Sequence, residues 1–182
     1  MEGNINYTGA VITWLRDEVG LIASPGETEE LARQANQKDT AYLVPAFSGL
    51  GAPYWKPEAR AVLCGMSRTT GRKEIVKAAV ESIAYQITDV VKRMEEETGV
   101  PVKELCVDGG AIKNKYLMEF QSGLLGIPVR YPACEESSAL GCARMGGLAC
   151  GFYEEAEQGK GEREFVLSAM TPAEQDRRYS GW

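Results

Sequence analysis

The run best suited to chemistry is Val107-Asp108-Gly109-Gly110-Ala111, with Asn114 three residues on. A strand that ends at paired glycines and turns into a helix makes a backbone corner free of Cβ atoms. A ligand can approach that corner closely. The helix behind it offers unpaired N–H groups and the positive end of its dipole, both suited to phosphate. Asn114, on the first turn, can donate or accept at a ribose or a phosphate. The same residues serve equally well as a tight strand–helix turn that holds nothing. The run is neither Gly-x-Gly-x-x-Gly nor a Walker loop, so neither a Rossmann site nor a P-loop is supported.

Two other features could carry function. The loop over 45–55 sets two glycines and two prolines among Phe47, Tyr54 and Trp55. It could line a cleft, but its residue types favour a rigid surface loop with Tyr54 and Trp55 packed on the body. Glu81 lies on a long helical pattern, with Arg60, Arg68 and Arg72 nearby in sequence. A lone carboxylate of this kind marks a solvated or salt-bridged face rather than a catalytic base, and Arg68 and Arg72 are expected in solvent. The chain has no His, which removes His triads, His metal sites and His proton shuttles. Its five Cys (64, 106, 134, 142 and 150) form no Cys-x-x-Cys and are expected as reduced core thiols. No nucleophile–base pair and no metal cluster can be assembled, so no catalytic and no metal-ligating residue is expected.

The elements that must position these residues follow from periodicity. Helices are predicted over 9–19, 27–36 (short and exposed), 74–98, 114–125 and 139–150. The long one should bury a stripe of Ile75, Ala79, Ile83, Ile87, Val90, Val91 and Met94 and stop at Gly99, before Pro101. Strands are predicted over 42–47, 61–66, 104–107 (buried) and 128–131. Ser137 or Ser138 is a candidate N-cap for the 139–150 helix, whose Ala and Gly content suits tight packing. The charged tail past Gly151 has an exposed tip at 159–161, and Tyr179 and Trp182 point to a docked C-terminus. Strands alternating with helices imply an α/β layer structure.

Bulk properties agree. A chain of 182 residues suits one domain. With 20 basic and 26 acidic residues the net charge is −6, which excludes a general nucleic-acid binder but not a nucleotide site. No stretch reaches the length of a membrane span, no signal peptide is visible, and a cytoplasmic location is expected.

Several separated motifs then occur in a familiar order. The loop over 45–55, Gly65-Met66, Glu74-Ile75 with the run 78–86, the run 107–114 and Ser138-Ala139-Leu140-Gly141-Cys142-Ala143 resemble the C-terminal domain of a carbohydrate kinase family. So do Glu2-Gly3, Gly9-Ala10 and the run 14–18. The family includes glycerol, xylulose and gluconate kinases, and the loop over 45–55 is most similar to that of glycerol kinases. The resemblance implies an α/β fold of actin-like, ribonuclease-H-like type, with a mixed sheet flanked by helices. It implies that residues 1–182 form the C-terminal, ATP/ADP-binding domain, with the N-terminal polyol-binding domain and its Asp base absent. Gly110 and Asn114 would contact the nucleotide, Gly109 would shape the turn, and Gly9 would be a further contact. Thr13 stands where the glycerol kinases carry Gln, and its hydroxyl can still hydrogen-bond. The implied activity is ATP-dependent phosphorylation of glycerol, with magnesium in the complete enzyme. The chain alone is expected to be inactive. Half of another sugar kinase, or a free-standing nucleotide-binding module, are the alternatives. A domain severed from its partner is expected to expose an apolar face or to self-associate.

Overall fold

The computed structural model describes residues 2–132, 137–152, 163–168 and 170–182. The fold is organised around one long helix, α3 (Arg72–Thr98). Before it come α1 (Gly9–Asp17), α2 (Glu27–Gln34) and the strands β1 (Tyr42–Val44) and β2 (Val62–Cys64). After it come β3 (Leu105–Cys106), a 3-10 turn (Gly110–Lys113), α4 (Lys115–Leu125), β4 (Val129–Pro132), α5 (Ser137–Ala149), β5 (Arg163–Val166) and α6 (Pro172–Gly181). The strands form two small sheets. β1 and β2 pair antiparallel. In the other, β4 is central, parallel to β3 and antiparallel to β5, so this sheet is mixed as expected.

The predicted stripe on α3 is too narrow. Every residue from Val76 to Tyr85 is buried, including Lys77, Glu81 and Ser82. A helix enclosed on all sides has no polar face to turn outward. Its buried polar groups are therefore paired internally. The Ser82 hydroxyl donates to the Ala79 carbonyl at 2.7 Å and that of Thr88 to the Ala84 carbonyl at 2.8 Å. Glu81 accepts from the Tyr116 hydroxyl at 2.5 Å and from Arg178 Nη1 at 3.0 Å. Of the two alternatives for this carboxylate, it is the salt-bridged one, and it is not solvated. Burial pushes the Glu81 carboxyl above the usual carboxylate range, against the pull of Lys77, Tyr116 and Arg178. The helix ends where expected, with Gly99 in the left-handed region at φ 67°.

The C-terminus docks as its aromatics suggest. Tyr179 Oη and Trp182 Nε1 donate to the two oxygens of Asp89, at 2.7 and 2.9 Å. Trp182 also stacks on Tyr85, ring centroids 5.0 Å apart. The sequence reading did not foresee α6, although its start signal is present. Thr171 caps it by accepting from the Glu174 amide, Pro172 opens it, and Glu174 sits in the first turn.

Four further expectations are corrected. Helix α2 is not simply exposed, because Thr28 and Ala32 are buried beneath it. Strand β3 is half-buried at Leu105 and exposed at Cys106, since it lies at a sheet edge. Cys64, Cys106, Cys142 and Cys150 are exposed rather than in the core. Strand β2 turns Leu63 inward and Cys64 outward, and α5 leaves its cysteine uncovered. Cys134 and the 159–161 tip lie outside the described residues. Helix α5 is not tightly packed: only Gly147 is buried, and Leu140, Met145 and the following Phe152 face outward. Ser137 and Ser138 lie inside α5, and the residues before them are outside the described set. Leu140, Met145 and Phe152 are thus exposed apolar side chains.

Replacing Arg178 with Ala removes a cation from a carboxylate that keeps only 4% of its side-chain surface in water. Losing one partner of a buried pair is expected to destabilise the fold by about 3 kcal/mol. Urea denaturation of the two proteins measures this, and a change within error of zero would show that Lys77 and Tyr116 suffice.

Candidate functional site

Four helical segments converge on a cavity of about 420 Å³. Helix α1 contributes Gly9, Ile12 and Thr13, whose spacing of three and four places them on one face. Helix α3 contributes Val80 and Ile83, one turn apart, which floor the cavity. The start of α2 brings Pro25, Gly26, Thr28 and Glu29. The turn before α4 and the first turn of α4 bring Gly110, Ala111, Lys113, Asn114 and Leu117. The walls are mostly apolar and the polar groups lie among the turns, the composition of a small-molecule site.

The glycines do two different jobs. Gly109 adopts φ 84°, a left-handed value that disfavours any side chain, and it shapes the corner without lining the cavity. Gly110 lines the cavity and is outside the left-handed region. A Cβ built on Gly110, or on Gly9, meets no atom within 4 Å. At both positions a side chain would occupy cavity space rather than collide with the protein.

Asn114 is the N-cap of α4, half outside the helix rather than on its first turn. Its Oδ1 accepts from the Leu117 amide at 2.9 Å, and its Nδ2 donates to Thr28 Oγ1 at 3.0 Å. The Thr28 hydroxyl in turn donates to the Pro25 carbonyl at 2.6 Å. A cap of this kind contributes about 1 kcal/mol, and here it also ties α2 to α4. The Lys115 amide donates to Glu29 Oε2 at 3.0 Å. The start of α4 has thus already committed donors that the sequence reading left open for phosphate. The 3-10 turn supplies others. The amides of Gly110 and Ala111 make no hydrogen bond among the described residues, and both residues line the cavity.

Of the five residues singled out in the sequence, Gly9, Thr13, Gly110 and Asn114 meet at this cavity, and Gly109 stands behind it. The loop over 45–55 does not reach it. That loop borders a separate cavity of about 250 Å³ with Gln86, Asp89 and Trp182. Trp55 is 69% exposed, so it does not pack on the body as expected. Glu81 lies in the core below and does not line the cavity. Sequence reasoning missed Ile12, Val80, Ile83 and Leu117 as walls, and Thr28 and Glu29 at the edge. Of the apolar ones, Ile83 belongs to the stripe predicted for the long helix, and Val80 lies outside it. The pair on α2 was hidden by reading that helix as exposed.

The architecture is that of the C-terminal domain of an actin-like, ribonuclease-H-like kinase fold. The chain belongs to the FGGY family of carbohydrate kinases, whose C-terminal-domain model matches residues 1–150. Over its whole length it is 45% identical to glycerol kinase 2 of Thermotoga maritima and 44% identical to the glycerol kinase of Lactococcus lactis. It spans 37% of the length of each of these curated relatives. Among solved structures it resembles Plasmodium falciparum glycerol kinase with ADP, with a TM-score of 0.86 and 30% identity over 98% of this chain and 36% of that one. A xylulose kinase from Lactobacillus acidophilus shares the fold, with a TM-score of 0.80 and 20% identity over 98% of this chain and 37% of that one.

Proposed function

We propose that residues 1–182 are the nucleotide-holding C-terminal domain of an ATP-dependent glycerol kinase. The observation that carries this reading is the meeting of Gly9, Thr13, Gly110 and Asn114, scattered over more than a hundred residues of chain, at one cavity. The choice of glycerol over another sugar or polyol rests on the glycerol kinases that match the whole chain at about 45% identity.

In this reading the adenine enters between Ile12, Val80, Ile83 and Leu117, where apolar surface leaves water. The phosphates reach the free amides of Gly110 and Ala111, which act as a small fixed cradle of donors. Gly9 leaves room for the nucleotide at the α1 side. Asn114 acts chiefly by holding the turn in place through its cap and its bond to Thr28. Phosphoryl transfer depends on positioning donor, acceptor and metal together. This chain supplies the donor's wall. The polyol pocket and the Asp base belong to the N-terminal domain, which is the partner this chain requires. Magnesium would be carried by the phosphates. Among the described residues no group of three or more His, Cys, Asp or Glu is placed to hold a metal ion. A cytoplasmic site of action fits the reading, and no described helix is long and apolar enough to cross a membrane.

Titration calorimetry with ADP tests the site. The wild-type chain should bind, and Gly110→Val should abolish binding while leaving the circular dichroism spectrum and urea midpoint unchanged, since the backbone there is not left-handed. Equal affinities would place the nucleotide elsewhere. A coupled assay of ADP release tests the division of labour. Glycerol with ATP and magnesium should give no turnover with this chain alone. Rates near the ~1–100 per second of ordinary kinases would contradict it.

A further inference from the structure

The loop over 45–55 and helix α3 border the second cavity, of about 250 Å³, which the nucleotide reading leaves unused. Pro45 and Leu50 give it apolar walls, and Tyr54 and Trp182 add two aromatic rings. Asp89 is the one charged residue among those that line it. Only 5% of Asp89 is exposed. Tyr179 Oη donates to one of its carboxylate oxygens and Trp182 Nε1 to the other. A carboxylate offers about four acceptor sites, so capacity remains on both oxygens. No cation joins Asp89 in an ion pair among the described residues. Lys92 holds its Nζ 3.5 Å from the centre of the Tyr179 ring and does not line the cavity.

Gln86, also on the cavity wall, adds a second open acceptor. Its Nε2 donates to the carbonyls of Tyr7 at 2.9 Å and of Ser82 at 3.1 Å. Two carbonyl partners fix which end of the carboxamide is the nitrogen. The oxygen, Oε1, accepts from no described residue. Residues three apart on a helix are surface neighbours, so this acceptor and the carboxylate lie side by side on α3. A buried carboxylate without a paired cation, next to an open carboxamide oxygen and aromatic rings, suits a positive group rich in N–H donors. The same charge disfavours phosphate, which would meet Asp89 with no cation to offset either anion.

We propose that this cavity binds a small organic ammonium compound. Its ammonium sits on Asp89 and Gln86 Oε1, and its apolar body lies against Leu50, Tyr54 and Trp182. The site is separate from the nucleotide cavity, and the proposal does not depend on that reading. Its occupant sits on the residue through which the C-terminus docks.

The test is amide chemical-shift mapping on the isotopically labelled 182-residue chain, titrated with benzylammonium, benzyl alcohol and benzoate. The three probes share a ring and differ in charge. Benzylammonium should give saturable shifts at Leu50, Tyr54, Gln86 and Asp89, with a Kd in about the millimolar range for so small a ligand. Benzyl alcohol should bind at least about tenfold more weakly, the difference between a charged and a neutral hydrogen bond. Benzoate should give no saturable shift there. Asp89→Asn keeps the shape, removes the charge and should lower the benzylammonium affinity to that of the alcohol. Asp89 also holds the C-terminus, so circular dichroism checks that this variant folds; if it does not, the three probes on the wild type decide alone. Four results would each overturn the proposal: equal affinity for benzylammonium and benzyl alcohol, no saturable shift with benzylammonium, shifts gathered at Gly9 and Gly110 instead, or a folded Asp89→Asn variant that binds benzylammonium unchanged.

Discussion

The structure depends on the enclosure of α3. A helix whose residues from Val76 to Tyr85 are all buried must carry its polar side chains into the core and find partners for them there. The demand is greatest at Glu81. Its carboxylate draws Tyr116 from α4 and Arg178 from α6, while Lys77 lies one turn away on the same helix and donates to the Asn36 carbonyl at 3.2 Å. One residue therefore joins three helices. Asp89, two turns further on, does the same for the chain's end through Tyr179 and Trp182. Ionic and hydrogen-bonded groups of this kind add little net stability compared with apolar packing, but they tolerate few alternative arrangements.

The cavity inherits its shape from that arrangement. Val80 and Ile83, which floor it, flank Glu81 on the buried helix. Tyr116, which Glu81 holds, is the second residue of α4, so the start of α4 and the glycine turn before it are fixed to the same point. Asn114 and Thr28 then fasten α2 across the opening. The free amides of Gly110 and Ala111 are presented by a turn braced from beneath and from the side. A site preorganised in this way loses less entropy when a ligand arrives.

Much of this was legible in the sequence, and the failures have physical causes. Helix α1, the stop at Gly99, the glycine corner and the docked C-terminus follow from local signals: periodicity, left-handed glycine and terminal aromatics. What periodicity could not supply is how many neighbours surround an element. A stripe of Ile75, Ala79 and Ile83 reads the same whether the opposite face meets water or other helices, so the burial of α3 on every face from Val76 to Tyr85 and the pairing of Glu81 were invisible. The same blindness runs the other way on α5, where small residues suited to tight packing lie uncovered. The cysteines followed the same error, since apolar neighbours in sequence do not bury a residue whose strand or helix face is open. At the cavity, the residues singled out in the sequence include Gly9, Gly110 and Asn114, which line it together. Their types did not show that Asn114 spends its side chain on capping, nor that the unpaired amides at the cavity are those of Gly110 and Ala111 in the 3-10 turn.

The central claim is that a nucleotide binds against Gly9 and the Gly110–Ala111 amides and nowhere else on the chain. Amide chemical-shift mapping on the isotopically labelled chain, titrated with ADP, tests it most directly. The account predicts saturable shifts concentrated on Gly9, Thr13, Gly110, Ala111 and Asn114, with the loop over 45–55 unmoved. Shifts that cluster instead around Tyr54, Gln86 and Asp89, at the separate smaller cavity, would contradict it.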